Sequence, residues 1–393
     1  MKLKITDEFL ICFLYILSGV MLVGQFLGIG IITSIAFGTS FIVVLLLWCL
    51  HMKSARVLDL LAIFIIILSL MGALVTISQF TVSYFYNWIM FSAVFLYFSV
   101  CLKIKLKKST IKTLFIINFV VSASCFLAYV FRYNSAFYVT NMGVRYLTFG
   151  FDNPNALALF LVVITLTSML YFSLYKVKFG LLIETCYVAF FVFLIVLTLS
   201  RNSLFSIIFF IIISIIFARK KHYYLPKSNL FKIGVVISPL IFALLYLLII
   251  DFVSQNGILS FLASEGKGLD SRQYVWNLAF NLFKESPIVG SYGYLINKSE
   301  ISQMHNSHIN VLVSYGIVVF VLVMVFLYIV LKDIVSKSRG TKSALSVWAF
   351  IVCLLIGVGE AILFSGGLSF YLLVGQFLLI SNSCFENEGE LNL

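Results

Sequence analysis

The chain has 393 residues, of which 62% are hydrophobic and 11% charged, with a formal net charge of +12. A water-soluble domain is about 45–50% apolar and about 25% charged, so no soluble core hides this much apolar surface and lipid must be the solvent. In a soluble protein the positive excess would point to nucleic acid; here no basic stripe with interleaved aromatics lies on a polar surface, and a nucleic-acid partner is set aside.

Taken in order, the chain opens with Met1 to Glu8 ahead of a long apolar run. It lacks a small-residue cleavage site there, so a retained first helix is expected. A bilayer core about 30 Å thick needs about 20 apolar residues per helix. Such runs fall near 9–27, 31–50, 57–77, 86–102, 113–131, 154–175, 181–199, 203–218, 233–250, 309–331, 343–363 and 367–383. They do not alternate with period two, which favours helices over a β-barrel. Gly28 and Gly30 mark the break inside the apolar stretch 9–50. The fold class expected is an all-α polytopic membrane protein of about twelve transmembrane helices, one membrane domain over 1–393. No internal repeat suggests symmetric transporter halves.

Charge fixes the expected orientation. With the N-terminus inside, the inner segments hold 20 of the 27 Lys and Arg residues and the outer segments hold 7. Lys and Arg concentrate in short cytoplasmic loops, so both termini are expected inside. The outer connections are then mostly a few residues long, except a medium loop at 132–153 and a large one at 252–308. In the large loop, 271–286 reads as an amphipathic helix, with Tyr274, Leu278 and Leu282 at i, i+4, i+8. Asp270 or Ser271 can cap it and Pro287 stops it. Its aromatic content suggests that it lies against the membrane surface. Gly290 and Gly293 then turn the chain. The seven cysteines (Cys12, Cys49, Cys101, Cys125, Cys186, Cys353, Cys384) sit in or beside apolar stretches without metal-ligand spacing and read as packing residues.

The candidate chemistry lies on the expected outer side. Arg201 follows Leu199-Ser200 in a tight turn; it either snorkels to the headgroups or binds an anion beside the N–H groups of the next helix. Arg272 opens the amphipathic helix, and Arg145 lies in the medium loop. Asn153-Pro154-Asn155 begins the sixth run, where Asn153 is either a simple cap or a substrate-facing group. His305 and His308 stand before the tenth run, joined by Asn306. A zinc pair lacks a third ligand at a recognisable spacing; His305 reads equally as a general base, whose imidazole titrates in the neutral range, or as a capping or loop histidine. Glu360 is an isolated acid at depth, read as the partner of an outer arginine. The first outer turn, Leu27 to Ile31, carries no acid.

Together, RYLTFGFDNPNAL (145–157), the Leu199-Ser200-Arg201 turn, the helix at 271–283, PIVGSYG (287–293) and MHNSH (304–308) followed by Tyr315-Gly316 resemble the O-antigen polymerase and ligase family. That family includes bacterial capsule repeat-unit polymerases. The resemblance implies a GT-C-type helical fold in the bacterial cytoplasmic membrane. It also implies a glycan donor on undecaprenyl diphosphate and transfer to an acceptor sugar hydroxyl without metal or other cofactor. Arg201 and Arg272 match the family's functional arginines and His305 its functional histidine. Arg145, Asn153, Asn155, Asn306, His308 and Glu360 are the further substrate-binding candidates. A chain-length regulator and a flippase are the protein partners it suggests. Polymerase is preferred over ligase. The rival from another class is a lipid-linked oligosaccharide flippase, for which the 57-residue outer loop is not expected.

Overall fold

The computed structural model describes residues 6–75, 82–131, 137–139, 145–151, 153–175, 179–218, 225–255, 269–291, 304–338, 341–360 and 368–383. Among them are thirteen α-helices: α1 (Asp7–Leu27), α2 (Gly30–Leu50), α3 (Val57–Val75), α4 (Val82–Cys101), α5 (Lys108–Phe131), α6 (Pro154–Leu174), α7 (Gly180–Leu197), α8 (Arg201–Ala218), α9 (Asn229–Gln255), α10 (Leu269–Glu285), α11 (Ser307–Lys337), α12 (Thr341–Ile356) and α13 (Leu368–Ser383). Seven are long and apolar enough to cross a membrane, and five shorter ones are also apolar. The chain is an all-helical, multi-pass membrane protein, as its apolar runs predict. Parts of both outer loops, together with Gly293 and Cys384, fall outside the described residues.

Local chemistry sets the helix ends. Thr6 caps α1 by accepting from the Phe9 N–H, and Asp7 and Glu8 favour the positive end of its dipole. Gly28, at φ 70°, ends α1 in the left-handed region, where a Cβ would be strained. That is the break the two glycines predict. Asn153 caps α6 through the Asn155 N–H, and Pro154 occupies its first turn. The medium loop contains more than coil: β1 (Phe137–Val139) pairs antiparallel with β2 (Arg145–Leu147). Three-residue strands are too short to register in an apolar-run reading.

Helix α13 lies at the centre, packed on α1, α4, α6 and α12. Its residues from Phe370 to Ser381 are buried, as are most of α6 and α12. The outer helices turn Ile31, Phe131, Leu181, Phe205 and Leu230 outward, an exposure that suits lipid and not water. Within α6, Thr165, Thr167 and Ser168 return their hydroxyls to carbonyls four residues back, so the buried helix carries no idle donors there.

One end of the bundle is laced with ion pairs. His51 meets Asp7 at 3.0 Å, Lys107 meets Glu8 at 3.2 Å, and Arg56 and Lys337 share Asp333 at 3.8 and 2.7 Å. Lys103 and Asp59, 4% and 3% exposed, pair at 2.8 Å.

Helix α11 is the main departure from a simple bundle. Its backbone breaks at Gly316 (φ 78°, ψ 176°). The rings of His308 and Phe320 lie only 6.1 Å apart. Twelve residues of straight helix would separate them by about 18 Å, so the chain bends sharply. Ser307–Tyr315 form a short arm, nearly all buried, and the spanning arm begins after Gly316. The apolar run expected at 309–331 therefore contains two arms, because a bend leaves composition unchanged. Helix α12 also stops earlier than its run to 363 suggests: it ends at Ile356, and Gly357–Glu360 form a turn.

Candidate functional site

At the opposite end of the bundle from the ion pairs, four segments converge. The first is the α7–α8 turn. Leu199 takes a left-handed φ of 57°, and the Ser200 N–H donates to Thr198 Oγ1. Arg201 is the first residue of α8 and is exposed. It thus sits where the unpaired N–H groups and positive dipole of α8 emerge. Its neighbour Asn202 donates from Nδ2 to the Ile356 carbonyl at 2.8 Å, tying the start of α8 to the end of α12.

The second is the Gly357–Glu360 turn that follows α12. A methyl group built on Gly359 would stand 3.0 Å from Asn202 Nδ2 and 3.5 Å from Arg272 Nη1. Glycine here lets the Arg201–Asn202 segment and the Arg272 guanidinium close on the same point. Glu360 is 3% exposed, and its two oxygens divide: Oε1 lies 3.7 Å from Arg272 Nη2, and Oε2 lies 3.4 Å from His305 Nδ1. The side chains of Arg272 and His305 are 36% and 35% exposed. The acid is therefore the buried backing, and the two basic groups face outward. A carboxylate at that depth is tolerable because it is paired.

The third segment is Met304–His308. His305 has a left-handed φ of 46°. Asn306 caps α11, accepting from the His308 and Ile309 N–H groups. Its Nδ2 donates to the carbonyls of Pro239 and Val358 at 2.8 and 2.9 Å. Ser307 binds the same turn, its N–H to the Gly357 carbonyl and its hydroxyl to the Glu360 carbonyl, both at 2.9 Å. His308 points inward, its Nε2 2.6 Å from the Val236 carbonyl. Pro239 sits inside α9 and supplies no N–H; the Val235 carbonyl that would have accepted from it accepts from the Ser238 hydroxyl instead. The Asn306 and His308 side chains bind the nearby carbonyls of Pro239 and Val236. Both candidates thus have their side-chain donors engaged in holding α9, α11 and the 357–360 turn. His308 does not share an exposed helical face with His305.

The fourth is α10, which spans the expected amphipathic helix. It begins at Leu269, so Asp270 and Ser271 lie within it and do not cap it. The expected stripe holds at Leu278 and Leu282, which face the packing surface, and fails at Tyr274, which is 67% exposed. Val275, Trp276 and Ala279 are buried beside them. The apolar face packs on Ala243, Met304, Ile309 and Val313, so this helix docks on protein. The Trp276 indole N–H donates to the Met304 carbonyl at 2.7 Å, fixing α10 to the residue before His305.

Arg272, His305 and Glu360 are thus brought into one cluster, with Arg201 anchored beside it through Asn202. Arg145 is elsewhere, on β2, exposed with its guanidinium 5.9 Å from the Phe137 ring centre. Asn153 caps α6, and Asn155 contributes its backbone N–H to that cap. Among the described residues no hydrogen bond or ion pair joins Arg145, Asn153 or Asn155 to the cluster, and no group of three His, Cys, Asp or Glu side chains that could hold a metal is present. Asn202, Trp276, Ser307 and Gly359 were not singled out from sequence. Only the polar Asn202 within an apolar run, next to Arg201, gave a signal.

In a comparison with protein-family models, residues 186–324 fit the family described as O-antigen ligase. That stretch contains Arg201, Arg272, Trp276, His305, the turn at 287–291 and the bend at Gly316. No curated protein matches the chain.

Proposed function

We propose, from the match of residues 186–324 to the family described as O-antigen ligase, that the chain polymerises undecaprenyl-diphosphate-linked oligosaccharide repeat units at the outer face of the bacterial cytoplasmic membrane. The observation that carries this reading is the Arg272–Glu360–His305 cluster beside the Arg201 turn. The acceptor hydroxyl oxygen attacks the anomeric carbon of the donor glycan. The bond from that carbon to the diphosphate oxygen breaks, and the carbon inverts. The hydroxyl proton passes to His305, and the lipid diphosphate leaves with the bonding pair.

Each residue has a physical task in this scheme. When His305 Nδ1–H donates to Glu360, Nε2 keeps its lone pair and serves as the base, the logic of a base oriented by a carboxylate. Glu360 also holds Arg272, whose planar fork suits two phosphate oxygens. With His305 neutral, Arg201, Arg272 and Glu360 sum to one positive charge. The N-terminus of α8 adds to it, which suits the negative charge developing on the leaving group. No cofactor is required. The fold is read as GT-C-type, with both termini cytoplasmic and with a flippase and a chain-length regulator as working partners.

The test is a deletion strain complemented with wild type or His305→Ala, both confirmed in the membrane, with surface glycan resolved by size. Single repeat units in both the deletion and the variant support a polymerase with His305 as base. Full-length polymer in the variant overturns the base assignment. Long polymer retained on the lipid carrier, absent from the final acceptor, identifies a ligase. Repeat units trapped on the inner leaflet identify a flippase.

A further inference from the structure

The bend at Gly316 interrupts the helical ladder, and the Ile317 N–H and Val313 carbonyl, which a straight helix would pair with each other, take other partners. Both partners come from the same segment. The Ile317 N–H donates to the Pro287 carbonyl at 2.8 Å, and the Val313 carbonyl accepts from the Ser291 N–H at 2.7 Å. The turn following α10 thus inserts its own backbone where the helix has opened.

The fit depends on two glycines. A methyl group on Gly290 (φ 82°) would stand 2.3 Å from the Ser314 carbonyl oxygen. One on Gly316 would stand 2.0 Å from the Ile288 carbonyl oxygen. Both obstacles are backbone, which cannot swing aside as a side chain can. The turn is in turn fixed to its own helix, since the Ser291 hydroxyl donates to the Leu282 carbonyl at 3.1 Å. From the other side α3 backs it: a methyl on Gly72 would lie 2.8 Å from the Val289 carbonyl oxygen.

Arg272 lies near the start of α10, and His305 stands at the head of the short arm of α11. We infer that the Pro287–Ser291 turn is a backbone clasp that locks these two elements into one unit, and that Gly290 and Gly316 are positioning residues for the transfer reaction. This role rests on the proposed function. The clasp itself does not. Arg272 and His305 come from segments 33 positions apart in the chain. A displacement of about 1 Å between catalytic groups costs on the order of 10²-fold in rate. Two ties besides the Glu360 carboxylate, Trp276 to Met304 and the clasp, bracket the pair.

The test uses the full-length protein in lipid nanodiscs, with lipid-linked repeat units extracted from the deletion strain as substrate. Gly290→Ala and Gly316→Ala are compared with Gly234→Ala, where a methyl group meets nothing within 4 Å. For variants that elute and melt like wild type, kcat is expected to fall at least about tenfold with KM within about twofold, and Gly234→Ala to match wild type. Wild-type kcat in a folded Gly316→Ala overturns the positioning role. If the glycine variants do not fold, hydrogen exchange on the wild type decides. Ser291 and Ile317 amides as slow as their helical neighbours support the clasp, and exchange at the rate of free amides overturns it. Wild-type protein without any transfer activity sinks the proposed function, while the exchange measurement still decides the clasp.

Discussion

The two ends of the bundle solve the problem of placing charge beside a membrane in opposite ways. At one end every acid named above faces a base from a neighbouring segment: Asp7 with His51, Glu8 with Lys107, Asp59 with Lys103, Asp333 with Arg56 and Lys337. At the other, a single buried acid, Glu360, backs two half-exposed basic groups, while Arg201 stands outward at a helix N-terminus. Closed pairing serves stability. An arrangement with cationic capacity left over suits the anionic leaving group of the proposed reaction.

That contrast can be broken by substitution. The largest effect is expected at the paired end. Lys103→Met strands the Asp59 carboxylate in the interior, and breaking a buried pair this way costs about 3–5 kcal/mol. The thermal midpoint of purified protein reads it, and Lys103→Met with Asp59→Leu is expected to recover most of the loss. At the other end, Arg272→Lys keeps the charge opposite Glu360 but loses the fork. Transfer should drop on the order of 10²-fold, the scale of removing one preorganised donor, with the melting temperature nearly unchanged. A smaller effect is expected for Glu360→Gln: about tenfold in kcat, since in the proposed mechanism His305 loses its orienting carboxylate but keeps its imidazole. Lys107→Ala should be the mildest. Its partner Glu8 sits across an exposed gap, and such pairs contribute about 0–1 kcal/mol. A large activity loss in Lys103→Met at temperatures where it stays folded would undo the division between the ends.

Much of the fold was legible because lipid imposes a simple rule. Every spanning segment must satisfy its backbone internally and present apolar side chains, so runs such as 9–27 and 154–175 announce themselves. Gly28 and the Asn153-Pro154 start were legible because caps are local chemistry. The bend at Gly316 was not: the run from 309 onward is predominantly apolar on both sides of it, and the turn that stabilises it lies some 25 positions earlier. The place of Tyr274 on α10 is hidden from the sequence for a related reason. Tyr274 and Trp276 are both aromatic, and only the docking surface on Ala243, Ile309 and Val313 decides which is buried. Within the site, Arg272, His305 and Glu360 were nameable because charged groups are rare in this chain. Their mutual contact was not, since it depends on how α12 ends. For Asn306 and His308, polarity alone does not distinguish a ligand from a structural tie, and the structure adds the tie.

The backbone of His305 has an evolutionary consequence. Holding a non-glycine residue at a φ of 46° costs on the order of 1 kcal/mol relative to glycine. Selection for robustness alone would therefore favour His305→Gly, which relaxes the backbone and deletes the imidazole in a single step. A library screened only for heat resistance should enrich glycine at this position, and one screened for surface glycan should purge it. The strained residue is thus a marker of which pressure shaped the site, legible in variant frequencies without any assay of the chemistry.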